Sequence, residues 1–102
     1  MDAIELNERT RKFAVEIIKF FQSLPRSEEA KILGKQLMRC GTSVAANYRA
    51  ACRARSDQEF YAKICIVVEE SDEVFFCLNY YLMLKLLIKE RQNMLLKKRM
   101  NY

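Results

Sequence analysis

Four carboxylates crowd one short stretch of the chain: Glu69, Glu70, Asp72 and Glu73. On a helix Glu70 and Glu73 share a face, and carboxylates paired in this way can hold a divalent metal or move protons. Helical di-metal sites, however, draw Glu-x-x-His pairs from two helices. This chain has no His at all, and its other helical stretches bring no matching inward carboxylates. The same acids suit a simpler use, pairing with Lys35, Arg39 and Arg49 across a helical hairpin or with a neighbouring subunit. Ser-His and Cys-His catalysis are excluded by the missing His, and only 2 Gly are available for a phosphate-cradling loop. No catalytic, metal-binding or cofactor-binding residue is assigned, and nothing in the sequence points to an enzyme or a small-molecule substrate.

The four cysteines, Cys40, Cys52, Cys65 and Cys77, lie 12, 13 and 12 residues apart with no CxxC pair. That spacing is poor for zinc, and buried thiols acting as small apolar side chains account for it. Basic residues offer more. Arg49, Arg53 and Arg55, with Tyr48 interleaved and Tyr61 nearby, have the makings of a surface that pairs phosphates and stacks bases. Ion pairs with Asp57 and Glu59 would use them equally well. A second basic group, which includes Lys97, Lys98 and Arg99, lies near the C-terminus. Residues 1–84 balance 12 cations against 12 anions, so the net charge of +5 comes from residues 85–102. This end is either a nucleic-acid patch or a solvated helix terminus, where cations suit the negative end of the helix dipole.

These residues must be held by helices. The 102 residues suit one domain, and with 2 Gly and 1 Pro there are few places to turn. Asp2 with Glu5 signals a helix start. Leu6, Thr10, Phe13, Ile17, Phe20 and Leu24 then recur every three or four residues over 3–24, until Pro25 stops the helix. Ser27 caps a second helix over 28–55, whose seam of Leu33, Leu37, Cys40, Val44, Asn47 and Ala51 has coiled-coil spacing. Ser56 and Glu59 form a capping box for a third helix over 57–86. Its seam runs Phe60, Ile64, Val67, Ser71, Val74, Leu78 and Tyr81. The break at Ser56 is so short that helices two and three must be antiparallel, with facing residue numbers adding to about 112. A bend near 87–89 and a short fourth helix over 89–101 complete the expected set.

Within the second helix the stretch GTSVAANYRAACRARS, residues 41–56, is dominated by small and polar side chains. A mid-helix Gly costs about 1 kcal/mol relative to Ala, so Gly41 is expected to face a neighbour that leaves no room for a methyl group. Phe20, Phe21, Phe75 and Phe76 are candidates to fill the space beside Gly41, Ala45, Ala46, Ala50 and Ala51. Asn47 on an apolar seam is expected to make a buried hydrogen bond that fixes the bundle's register. Ser43 is expected to bond to a carbonyl one turn earlier or to Glu70. Ser43, Asn47, Glu70 and Glu73 are thus structural polar residues.

The run from Leu37 to Leu78 resembles the core of the bacterial 23S rRNA intervening-sequence protein family. The residues that carry the likeness are Gly41-Thr42-Ser43-Val44, Ala46-Asn47-Tyr48-Arg49, Ala50 to Ser56, Glu59-Phe60, Lys63, and the acids from Glu69 to Glu73 followed by Leu78. The resemblance implies an all-α fold, an antiparallel, left-handed up-and-down four-helix bundle, and a ring-like homo-oligomer, a pentamer. A distantly similar accessory protein of diversity-generating retroelements is a basic pentameric bundle that binds nucleic acid. Cys77 stands where many members carry Trp, and the fourth helix is short, which leaves apolar surface on helices one and three to be covered either by partner subunits or by a longer native chain.

Helix three is apolar nearly all the way round, through Phe75, Phe76, Tyr80, Tyr81, Leu82, Met83 and Leu84, and a helix of that kind is buried on all sides. The expected function is therefore a non-enzymatic homo-oligomeric module for interaction or scaffolding. The alternative is an RNA- or DNA-binding accessory protein that uses Arg49, Arg53, Arg55, Lys97, Lys98 and Arg99 on the assembled surface. No apolar stretch is long enough for a membrane span and the N-terminus lacks a signal-peptide pattern, so a cytoplasmic location is expected.

Overall fold

A computed structural model describes residues 2–100 as three helices: α1 (Ala3–Ser23), α2 (Glu28–Cys52) and α3 (Asp57–Met100). Local chemistry fixes most of the boundaries. The Asp2 carboxylate accepts from Glu5 N at 2.8 Å and the Ser27 hydroxyl accepts from Ala30 N at 3.2 Å, each satisfying a donor that a helix start leaves free. Leu24 turns to extended geometry ahead of Pro25, as the proline ring demands. Ser56 Oγ accepts from Glu59 N at 3.1 Å. The Glu59 side chain reaches back to accept from Arg55 N at 3.3 Å, one residue beyond the cap N–H of the usual reciprocal bond.

α2 ends at Cys52, with Arg53 as its cap, three residues before the expected end at Arg55. The larger correction concerns the C-terminal third. No bend forms at 87–89 and residues 89–100 make no separate fourth helix; they continue α3, which runs unbroken for 44 residues. The expected end at residue 101 lies outside the described residues. The sequence explains the continuity: no Gly or Pro occurs after Gly41, and Leu, Lys, Glu, Arg, Gln and Met from Leu82 onward are strong helix formers. The molecule is consequently elongated, 71 × 25 × 21 Å.

α2 is the central element, antiparallel to both neighbours. The core joins Ile17 of α1, Leu37, Cys40 and Val44 of α2, and Val74 and Cys77 of α3, with Phe20, Val67 and Leu78 packed against it. α1 and α3 flank α2 without backbone packing between them. They meet through side chains, among them the edge-on Phe20 and Tyr81 rings, 5.6 Å apart at 86°. On the α2 seam Leu37, Cys40, Val44 and Ala51 are buried as the spacing requires.

Gly41 behaves as expected, although Ile17 rather than a phenylalanine is its neighbour. A methyl group there would meet Ile17 Cγ2 at 2.9 Å and Cβ at 3.2 Å. Gly34 is the same case, with Leu24 Cδ1 at 2.6 Å and the Phe21 ring at 2.8 Å. Phe75 and Phe76 do not fill the space beside the small residues; both are exposed. Gly41→Ala should gain about 1 kcal/mol of helix propensity. It should lose more by overpacking, typically 1–3 kcal/mol, because β-branched Ile17 has few other rotamers in a helix. A fall of several degrees in Tm is expected in thermal melts; an unchanged or higher Tm would show that Ile17 yields.

Candidate functional site

The acidic cluster resolves into two pairs by helical face. Glu70 and Glu73 point at α2, where Arg39 Nη2 donates to Glu73 Oε2 at 2.8 Å and Arg39 Nη1 lies 3.4 Å from Glu70 Oε2. Gln36 Nε2 donates to Glu73 Oε1 at 2.7 Å. These pairs lie close to the antiparallel register expected for the hairpin. Hydrogen bonds from Gln36 and Arg39 hold the Glu73 carboxyl below its ordinary range, and the bond to Glu73 with the charge of Glu70 raises Arg39. Glu69 and Asp72 face solvent instead. Among the described residues no group of three or more potential ligands is placed to hold a metal ion. A carboxylate lowered by folding stabilises the fold above its unfolded pKa, and that contribution is lost as pH falls through the folded value. Acid titration should therefore show stability dropping below the carboxylate range, and Arg39→Met should flatten that drop. An identical acid profile in the variant would remove this assignment.

Asn47 departs from expectation. Its Nδ2 donates to Ser43 O and Ser43 Oγ, both at 2.9 Å, so it closes a bond within α2 rather than setting register between helices. The half-buried position leaves the side chain on its own helix, one turn from Ser43. Ser43 is thus met by Asn47, not by Glu70. The cysteines divide as well. Cys40 and Cys77 are core residues, and burial raises both thiols, that of Cys40 to about 11. They are protonated and inert at neutral pH. Cys52 is exposed and Cys65 half-buried, so the small-apolar-core reading fails for Cys52.

At the hairpin end Arg49, Arg53 and Arg55 do come together. They line a cleft of about 530 Å³ with Ala46, Ala50, Glu59 and Lys63. Lys63 was not singled out from the sequence as a site residue; its place one turn after Glu59 was the available signal. Glu59 bonds to the Arg55 backbone, and among the described residues none of these four cations has an ion-pair partner. An open cleft lined by four cations against the one carboxylate of Glu59 has the charge to suit an extended anion such as a phosphate backbone. Next to it, Ala45, Ala46 and Arg49 share a second cleft of about 500 Å³ with Ile4, Glu8 and Arg11 of α1. Lys97, Lys98 and Arg99 are not part of this surface. They sit at the other end of α3, roughly 60 Å away at 1.5 Å per residue, so one chain does not bring the two basic groups together.

The other conspicuous surface is apolar. Phe75, Phe76, Met83 and Leu86 are 68, 58, 62 and 67% exposed, and every residue from Lys85 to Met100 is exposed. The expectation that one subunit cannot cover α3 is met by these side chains.

The sequence matches the 23S rRNA-intervening sequence protein family over residues 3–101. The chain belongs to that family. A solved structure similar to this intervening-sequence protein is that of a protein of unknown function from the S23 ribosomal protein family of Bacteroides thetaiotaomicron VPI-5482. It has a TM-score of 0.75 and 29% identity, covering 81% of this chain and 74% of that one. No curated protein matches. Among the described residues no helix of this family member is long and apolar enough to cross a membrane.

Proposed function

We propose that this intervening-sequence protein works as a non-enzymatic, homo-oligomeric module whose role is interaction or scaffolding. The observation that carries the proposal is the uncovered apolar face of α3. Monomeric proteins rarely expose contiguous apolar patches beyond a few hundred Å². A helix with little contact to its own chain is also marginal alone over 12–15 residues, which applies to the projecting residues 85–100. Another copy is the nearest source of cover. Light scattering at micromolar concentration should give a mass that is a multiple of 12.1 kDa, and the multiple is the copy number. A 12.1 kDa particle would remove the proposal.

A second reading, an RNA- or DNA-binding accessory protein, is favoured by the cleft of Arg49, Arg53, Arg55 and Lys63. Display on several subunits would multiply a modest patch into a useful one. Gel shifts with an unstructured RNA should then weaken steeply with salt, by roughly 0.7 log units per log salt for each phosphate neutralised. Arg49→Ala with Arg53→Ala should lower that slope by about 1.4. Absence of any shift at low salt would sink this reading.

A further inference from the structure

From the two adjoining clefts on α2 we infer that this surface takes a single-stranded nucleic acid, its phosphates in the cleft against α3 and its bases turned over Ala46 into the cleft against α1. The inference rests on the nucleic-acid reading above and adds the form of the ligand and the separate use of each cleft.

The two clefts differ in chemistry. The one between α2 and α3 collects Arg49, Arg53, Arg55 and Lys63 against the single carboxylate of Glu59. The three arginines are exposed and Lys63 is half-buried. Among the described residues none of the four forms an ion pair. Phosphate oxygens suit such a group, because an arginine fork offers them two donors at once. The cleft between α2 and α1 is of another kind. Ile4, Ala45 and Ala46 give it apolar walls, and its polar groups are Asn7, Glu8, Arg11 and Arg49. Arg11 is engaged by Glu8 at 2.8 Å, so Arg49 alone brings an uncompensated charge, and the Glu8 carboxylate repels phosphate. An apolar wall beside an amide and a carboxylate suits a nucleobase instead. The wall takes the face of the base, Asn7 meets a donor–acceptor edge, and Glu8 accepts from an amino group.

Arg49 and Ala46 belong to both clefts. Arg49 stands where a nucleotide's phosphate and base are joined, and its guanidinium can pair with the one or lie along the other. Ala46 is exposed and only one methyl tall, a rim low enough for a sugar to cross. With helix axes 8–10 Å apart, the path from α1 across α2 to α3 is roughly 16–20 Å. That is short for a nucleic-acid site, near the lower end of the about 4–16 nucleotides that single-strand sites occupy.

A duplex does not fit this arrangement. Its bases are paired and stacked inside, and none turns into the α1 cleft without being flipped out. Nor does α2 enter a major groove about 12 Å wide, which admits one helix, because α1 and α3 pack along its two sides. An acidic peptide would meet the cations, but it brings no planar group for the apolar wall of the α1 cleft.

Fluorescence anisotropy with the full chain tests this, using a labelled RNA of about twelve nucleotides, the DNA of the same sequence, and each annealed to its complement. Single strands should bind at least about tenfold more tightly than duplexes. The two single strands share the chemistry, and the tighter one names the source of the ligand. Ala46→Leu changes no charge, and leucine forms helix nearly as well as alanine, so circular dichroism should be unchanged. It should weaken single-strand binding about tenfold and leave duplex binding as it was. Arg53→Ala should lower the salt slope for the strand by about 0.7. Asn7→Ala should leave that slope alone and change the order of preference among homopolymers. Duplexes that bind as tightly as single strands, or an Ala46→Leu variant with wild-type affinity, would overturn the inference and leave the nucleic-acid reading standing. No binding of any of the four at low salt, or tighter binding of poly-glutamate than of the strand, would overturn both.

Discussion

Met83→Glu together with Leu86→Glu is expected to give a folded monomer. Both side chains are exposed in the single subunit, so glutamate there disturbs nothing inside one chain and the helical spectrum should persist. Where copies meet on this face, the same change removes two apolar side chains per copy from it. Each such burial contributes about 1.5–3 kcal/mol, and 1.4 kcal/mol is a factor of ten in affinity. A loss of at least about a thousandfold in self-association follows, before the cost of burying carboxylates is counted. Light scattering at matched concentrations reads it. If the variant keeps the wild-type mass, this face is not where copies meet.

The second large effect lies inside the subunit. Leu37→Ala should destabilise the fold by about 3 kcal/mol, within the range of 2–5 kcal/mol for leucine truncation in cores. Leu37 is 2% exposed and lies in the cluster that ties α1, α2 and α3 together. A cavity here loosens both flanking helices at once. Chemical denaturation should show a lower midpoint with an unchanged slope. A loss under 1 kcal/mol would mean that α1 and α3 collapse into the space, a freedom the Gly41 contact with Ile17 argues against.

What was legible in the sequence had local causes. Asp2, Ser27 and Ser56 announced helix starts because a short side-chain oxygen facing free N–H groups is a local arrangement, and all three make those bonds. The α2 seam was legible because Leu37, Cys40 and Val44 recur at the period of one buried face. Gly41 was legible as a close approach, since its propensity cost needs a compensating contact. The neighbour was not, because Ile17 is brought there by a turn at Pro25 whose geometry the sequence does not encode residue by residue.

The failures are tertiary in the same sense. Asn47 sits on the seam, but a carboxamide can reach its own helix one turn away as easily as a neighbouring one, and spacing cannot distinguish the two. The fourth helix was expected from a weakening of the pattern after Leu87, yet nothing in that segment breaks a helix. Apolar residues on every side of α3 were legible as surface that one subunit leaves exposed, and Phe75, Phe76, Met83 and Leu86 are exposed. The two basic groups were read together only on an assembled surface, and the 44 residues of α3 keep them apart within one subunit.

Hydrogen exchange on the purified protein, followed residue by residue along Lys85–Met100, tests most directly whether another copy covers α3. Uncovered, this stretch is a solvated helix end whose amides exchange almost as fast as a free peptide's. Covered by a second copy, it should be protected at least about a hundredfold at high protein concentration and lose that protection on dilution. Rapid, concentration-independent exchange over these residues would contradict the cover.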